Sequence, residues 1–258
     1  MSEINNWKSY FEEIYGIDYS FKTYKFNFHF LYRGRPFKQK DLIEIQKELE
    51  NTKRIWSPPK SKCSKQRCSN KGDRKLYLSS HISSIPLELE SKEGDLIAIV
   101  KYKQLDFFQP LTIVGLDDLK RIPVDGDFIK TINDHHKGKD EKIIRIDSIL
   151  SNIFKTRKKN NGIDIYDVTI ALTNLYFRKS IGLIYPSVAA GYKSFNIVLK
   201  QQKVKHILKP LEIGIYKVNN INSNKSADFK KLSNGTIFEN GIIKWNKETD
   251  NKVYRYKK

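Results

Sequence analysis

Short apolar runs alternate with long polar stretches along this chain, and the period of each run sorts it into helix or strand. Trp7, Tyr10, Phe11, Ile14 and Tyr15 recur at helical spacing and predict a short amphipathic helix ending near Gly16. Phe26, Phe28 and Phe30 alternate with Asn27 and His29, which predicts a half-buried strand running into L-Y-R-G-R-P at 31–36. Residues 41–49 predict a helix with Asp41 as its N-cap. Residues 56–66 are rich in turn formers, lack a period and predict a loop. A short strand follows at 76–79. A helix follows at 83–90, with Pro86 in its first turn and Ser83 or Ser84 as the cap.

Further on, 95–102 and 111–114 predict strands, and 122–142 predict a long polar loop. A basic, turn-like run occupies 155–161, and 164–178 predict a helix. Residues 182–185, 195–199, 213–216 and 242–245 predict strands, with a polar loop at 219–226. Strands outnumber helices and do not alternate with them in βαβ order, so the expected class is α+β. No internal repeat is evident.

At 258 residues the chain can bury a full core. No apolar run has the length of a membrane span. The start, M-S-E-I-N-N-W-K, lacks a charged segment followed by an apolar one, so the expected location is cytoplasmic, with no membrane partner. Cys63 and Cys68 lack two further ligands at zinc spacing and are expected as free thiols. The adjacent His135 and His136 need not converge, so no metal is expected. The net charge of +19 attracts anions of every kind. Lysine supplies most of it and is spread along the chain, and no nucleic-acid-binding signature occurs. Only weak, non-specific nucleic-acid binding is therefore expected.

One stretch carries more specific chemistry: R-C-S-N-K-G-D-R-K-L-Y-L-S at 67–79, followed by Glu88, and far downstream G-L-I-Y-P-S-V at 182–188. Tyr77 lies ten residues after Arg67, and Glu88 eleven after Tyr77. Each has an ordinary reading alone: a loop arginine, a core tyrosine, a first-turn glutamate favoured by the helix dipole, a turn-forming Ser187. The ordered combination resembles the RES family, named for an arginine, a glutamate and a serine.

The resemblance covers about 28–200 and implies an ADP-ribosyltransferase-like mixed β-sheet core with flanking helices and an NAD cleft. It makes 1–27 an N-terminal helical segment. Within the catalytic domain, 120–162 would be an insertion, and 201–258 a C-terminal extension packing on it. It implies NAD as substrate and cleavage of the nicotinamide–ribose bond, by a toxin or defence effector held by a proteinaceous antitoxin or regulator. Such cleavage passes through an oxocarbenium-like state. It calls for a forked grip on the phosphates, an aromatic wall and a carboxylate near the ribose. On this reading Arg67, Tyr77, Glu88 and Ser187 are catalytic. Arg33, Arg35, Ser69, Asn70, Gly72 and Tyr185 serve ligand binding, with Gly72 permitting the turn before the strand. Family members commonly carry asparagine two residues after the arginine; here that position is Ser69, and Asn70 follows. Either Ser69 substitutes or a shift brings Asn70 into place. ADP-ribosyl transfer to a protein or nucleic acid is the alternative in the same fold. A non-catalytic basic nucleic-acid-binding protein is the alternative outside it.

Overall fold

Local signals set the elements, and the long-range register sets the site. The structure, a computed structural model, describes residues 3–15, 23–25, 28–105, 110–122, 130, 133–134, 141–156, 159–160, 163–202, 204–223, 225–247 and 253–254. In chain order come α1 (Glu3–Tyr15), β1 (Thr23–Lys25), β2 (Leu31–Phe37), α2 (Leu42–Glu48), β3 (Lys75–Ser79), α3 (Ile85–Glu88), β4 (Leu96–Gln104) and β5 (Pro110–Ile113). They are followed by α4 (Leu116–Leu119), α5 (Glu141–Lys155), β6 (Lys159–Asn160), β7 (Ile163–Asp164), α6 (Ile165–Tyr176), β8 (Gly182–Pro186) and β9 (Phe195–Lys200). The last elements are α7 (Val204–Ile207), β10 (Leu208–Asn222), β11 (Ser226–Ile237), β12 (Ile243–Lys247) and β13 (Val253–Tyr254). The fold is mixed α+β, with an eleven-stranded sheet in the order β1-β5-β8-β9-β3-β2-β4-β10-β11-β12, and β13 beside β11. Its neighbours run antiparallel except β5 and β8.

Several elements follow their sequence signals closely. Asp41 caps α2 in a capping box, taking the Glu44 N–H while the Glu44 carboxylate takes its own; such a cap contributes about 1 kcal/mol. Asp164 likewise caps α6. Other elements differ from expectation. The strand expected from Phe26 onward starts only at Leu31, as β2, where pairing with Tyr102 of β4 begins. Phe28 lies before it, its N–H taken by the Gln104 side chain; Phe26 and Asn27 fall outside the described residues. Helix α5 stands where only polar loop and basic run were expected, and β11 was not expected at all. Most of 122–142, with His135 and His136, falls outside the described residues.

Pairing register decides which residues share a face. On one face Leu31, Arg33, Arg35 and Phe37 of β2 lie with Ala98 and Val100 of β4, over a core that includes Leu76, Leu78, Ile197 and Ile213 and is covered by α2 through Ile45 and Leu49. The other face carries two separate cores. Leu183, Tyr185 and Val198 pack under α5 and α6, with Phe154, Leu172 and Tyr176. Ile97, Ile99, Tyr216 and Phe229 pack under α3, with Ile85. Between them a row of paired residues crosses four strands: Tyr32, Ser79, Asn196 and Tyr185.

Strands β10 and β11 form a long hairpin whose register shifts after Ile215 and Val218. Such bulges bend a strand. The hairpin continues past the last β4 pairing, Lys217 with Leu96, and gives Val218, Ala227 and Phe229 to the core under α3. At its turn, Lys225 Nζ donates to the Val188 carbonyl at 3.2 Å, just after Ser187. Residues after 200 thus belong to the same sheet. No helix among the described residues is long and apolar enough to cross a membrane.

Candidate functional site

The loop before β3 is tied down at several points. Gly72 has φ +83°, a left-handed turn conformation that suits glycine, and its N–H meets the Cys63 carbonyl at 3.0 Å. Asn70 is exposed and serves the turn, its side chain accepting the Lys71 N–H at 2.8 Å. Ser69 points inward instead, 2% exposed, its hydroxyl 2.9 Å from the Tyr77 hydroxyl. Of the two positions, Ser69 is therefore the one beside the motif tyrosine. Lys65 bridges Asp164 at 2.8 Å and Asp167 at 2.7 Å, pinning the loop to the start of α6.

Arg67 is held by backbone and side chain alike. The Thr169 hydroxyl donates to its carbonyl at 2.5 Å. Its Nη1 donates to the carbonyls of Phe154 at 2.6 Å and Thr156 at 3.1 Å, at the end of α5. That is a favourable place for a cation, where a helix leaves carbonyls unpaired. The guanidinium also lies 5.4 Å over the Tyr166 ring. Its Nε and Nη2 have no partner among the described residues.

Tyr77 is the keystone of this loop rather than an open wall. Its hydroxyl accepts the Cys68 N–H at 3.2 Å and bonds Ser69. Burial pushes its phenol well above the ordinary value. Burial does the same for Tyr185, which is 5% exposed and packs 5.8 Å from Phe154.

Glu88 ends α3, and this four-residue helix is fixed at both ends. Just before it, a 3-10 turn at Ile82–Ser84 is capped by the His81 ring, which accepts the Ser83 N–H at 3.3 Å. Ser84 holds the N-cap position of α3, as expected, but its side chain makes no cap hydrogen bond and bonds Ser79 at 2.5 Å instead. At its end Ser91 N–H reaches the Pro86 carbonyl at 2.9 Å and Glu90 N–H the Leu87 carbonyl at 3.1 Å. This is a Schellman closure, with Glu90 at φ +50° where glycine is usual. Underneath, Gly34 leaves room for the Ile85 and Leu89 side chains, which a Cβ there would strike.

Two residues from a distant part of the chain meet at the Glu88 carboxylate. Ser187, 0% exposed, donates its hydroxyl to Oε1 while its oxygen accepts the Ala190 N–H at 3.0 Å. Asn196 Nδ2 donates to the same Oε1 at 2.7 Å. Oε2 has no hydrogen-bond partner among the described residues. Asn196 escaped the sequence reading; its signal was an amide inside the otherwise apolar strand F-N-I-V-L. Tyr166 escaped it too. It is half-buried, and burial raises its phenol; Arg67 opposes that shift, and Glu90 and Glu88 add to it.

Arg33 and Arg35 lie apart from this group, on the opposite face of the sheet. Arg33 donates to the Ile55 carbonyl at 3.2 Å, which also takes the Tyr102 hydroxyl at 2.7 Å. Arg35 pairs with Glu48 and lies 4.8 Å over the Phe37 ring. They were expected to serve ligand binding, with either able to face the site; two residues apart on one strand they share a face, and that face is not the one under Glu88. Among the described residues, no three His, Cys, Asp or Glu side chains group as a metal site.

No protein-family model, curated protein or solved structure matches this chain. Its chemistry must therefore be read from the side chains. A carboxylate with one oxygen pinned by two donors keeps the other for a ligand hydroxyl. The Arg67 guanidinium keeps spare donors and lies over the Tyr166 ring. The set suits a ligand bearing both hydroxyls and phosphate.

Proposed function

We propose that this chain consumes NAD+, cleaving the nicotinamide–ribose bond, as its resemblance to the RES family implies. The observation that carries the reading is the meeting of Ser187 and Asn196 on Glu88 Oε1. The two donors fix the orientation of the carboxylate, and Oε2 is left to take a ribose hydroxyl. As the bond from the ribose anomeric carbon to the pyridinium nitrogen breaks, its electron pair leaves with nicotinamide. Glu88 stabilises the positive charge growing on the sugar. Water then adds to that carbon and loses a proton, giving ADP-ribose. Arg67 would meet the pyrophosphate through its Nε and Nη2 hydrogens.

On the same reading the protein is a cytoplasmic toxin or defence effector, held in check by a proteinaceous partner. Its basic surface serves an acidic partner or solubility more than nucleic-acid recognition. The test is to incubate the purified protein with NAD+ and follow nicotinamide, ADP-ribose and labelled macromolecules. Nicotinamide and ADP-ribose in equal amounts are expected. Label transferred to protein or nucleic acid would move the activity to ADP-ribosyl transfer, and unchanged NAD+ would end the proposal.

A further inference from the structure

Ser187 serves Glu88 only while its hydroxyl hydrogen points at the carboxylate, and the turn that follows it decides this. The Ser187 oxygen accepts the Ala190 N–H at 3.0 Å, so its one hydrogen is left for Glu88 Oε1. The rest of the turn is tightly wound. Tyr192 N–H reaches the Ser187 carbonyl at 2.8 Å, and Gly191 N–H the Val188 carbonyl at 3.2 Å. Gly191 and Tyr192 have φ +62° and +63°. For a tyrosine that is a strained backbone, which persists where its surroundings hold it. Two lysines from distant elements supply that hold. Lys155, the last residue of α5, lies 5.7 Å over the Tyr192 ring. Lys225, at the tip of the β10–β11 hairpin, donates from Nζ to the Val188 carbonyl at 3.2 Å, the same carbonyl that closes the turn. Its stem passes over Gly191, where a Cβ would lie 3.0 Å from the Lys225 Cδ. Lys225 itself has φ +57°, in the left-handed region where glycine is the default. A lysine there strains the hairpin, and among the described residues its ammonium bonds only the Ser187 turn.

We propose that Lys225 is a positioning residue for the reaction at Glu88. It holds the turn after β8 so that the Ser187 hydroxyl keeps its hydrogen on the carboxylate. The inference takes its reaction from the NAD+ reading above, while the contact itself stands without it. It also gives the segment after residue 200 a part in the site, although no motif residue lies there. Without the ammonium, the Val188 carbonyl keeps the Gly191 N–H alone, and the strained turn loses its tie to the sheet. Ser187 is then free to rotate away from Glu88, and the carboxylate keeps Asn196 as its donor.

The experiment compares Lys225→Gly and Lys225→Arg with the wild-type protein, each also in a Ser187→Ala background. Glycine accepts φ +57° without strain, so Lys225→Gly should be at least as stable in urea as wild type. Its kcat for nicotinamide release should nevertheless fall about three- to tenfold, the usual worth of one hydrogen bond, with KM within about twofold. Lys225→Arg, which keeps a donor, should recover most of that loss. With Ser187→Ala already present, Lys225→Gly should change kcat by less than about twofold, because the two residues act through one contact. Hydrogen exchange at the Ala190 N–H reads the turn without the reaction. It should quicken about tenfold in Lys225→Gly, in line with one lost hydrogen bond, and stay near wild type in Lys225→Arg. Full kcat in Lys225→Gly, a loss that persists unchanged without the Ser187 hydroxyl, or unchanged Ala190 exchange would each overturn the proposal. A rise in KM alone would also overturn it, by putting Lys225 on the ligand. Faster Ala190 exchange in the variant of a protein that leaves NAD+ intact would end the NAD+ reading and uphold the hold of Lys225 on Ser187.

Discussion

Ser187 and Glu88 are 99 residues apart in sequence and share a hydrogen bond in the fold. Neither reaches the other by local structure. Ser187 follows the last residue of β8, and Glu88 closes a four-residue helix on the same side of the sheet. The β8–β9 register brings Asn196 to the same oxygen.

Replacing Glu88 by Gln should abolish NAD+ cleavage with the fold kept. The amide oxygen can still accept from Ser187 and Asn196, but the charge is gone. Losing such an electrostatic stabiliser costs about 3 to 4 kcal/mol, on the order of a hundred- to a thousandfold in rate. Nicotinamide release near the wild-type rate from the folded variant would contradict the role given to Glu88.

Asn196→Ala should lower cleavage about ten- to a hundredfold, since a hydrogen bond to a charged group contributes about 1.5 to 3 kcal/mol. Circular dichroism should show an unchanged fold. Kinetics indistinguishable from wild type would show that Ser187 alone orients the carboxylate.

Arg33→Met and Arg35→Ala separate the two faces of the sheet. Both should leave nicotinamide release within about threefold of wild type while altering denaturant midpoints, because these arginines bond Ile55 and Glu48 on the far side. A large loss of activity in a variant of unchanged stability would show that one of them reaches the ligand.

Tyr77, Tyr102, Tyr185 and Tyr216 all have phenols raised by burial. Their unfolded counterparts ionise near pH 10. Above that pH the native state holds more protons than the unfolded one, so stability falls as pH rises. The loss is about 1.4 kcal/mol per pH unit for each phenol. Urea melts from pH 8 to 11.5 should show a flat region and then a steep decline beginning near pH 10. A midpoint that stays constant through that range would contradict the burial of these hydroxyls.

Much of the site could be read in the sequence because its residues cluster around short strands. Arg67, Tyr77 and Glu88 flank one strand in order, and Ser187 sits at the end of another. What could not be read is what tertiary register decides. Arg33 and Arg35 are two apart and so must share a face, yet nothing local says which face lies under Glu88. Strand β11 was hidden by its polar residues, among them Asp228, Lys230, Lys231 and Ser233, which apolar patterning does not read as strand. Helix α5 carries Ile146, Leu150, Ile153 and Phe154 at helical spacing, a signal that the flanking polar and basic stretches mask. The His81 cap lay beyond the usual serine, threonine and aspartate signals.

The hairpin after residue 200 changes what a minimal version of this protein would be. A fragment ending at Lys200 would contain every residue named at the site. It would lack β10, the neighbour of β4, and with it Tyr216, Val218, Ala227 and Phe229, on which α3 rests. Expressed alone, it should give the circular dichroism of an unfolded chain. The stretch that looks dispensable by motif is the foundation under the Glu88 carboxylate, and a boundary drawn at the last motif would cut through it.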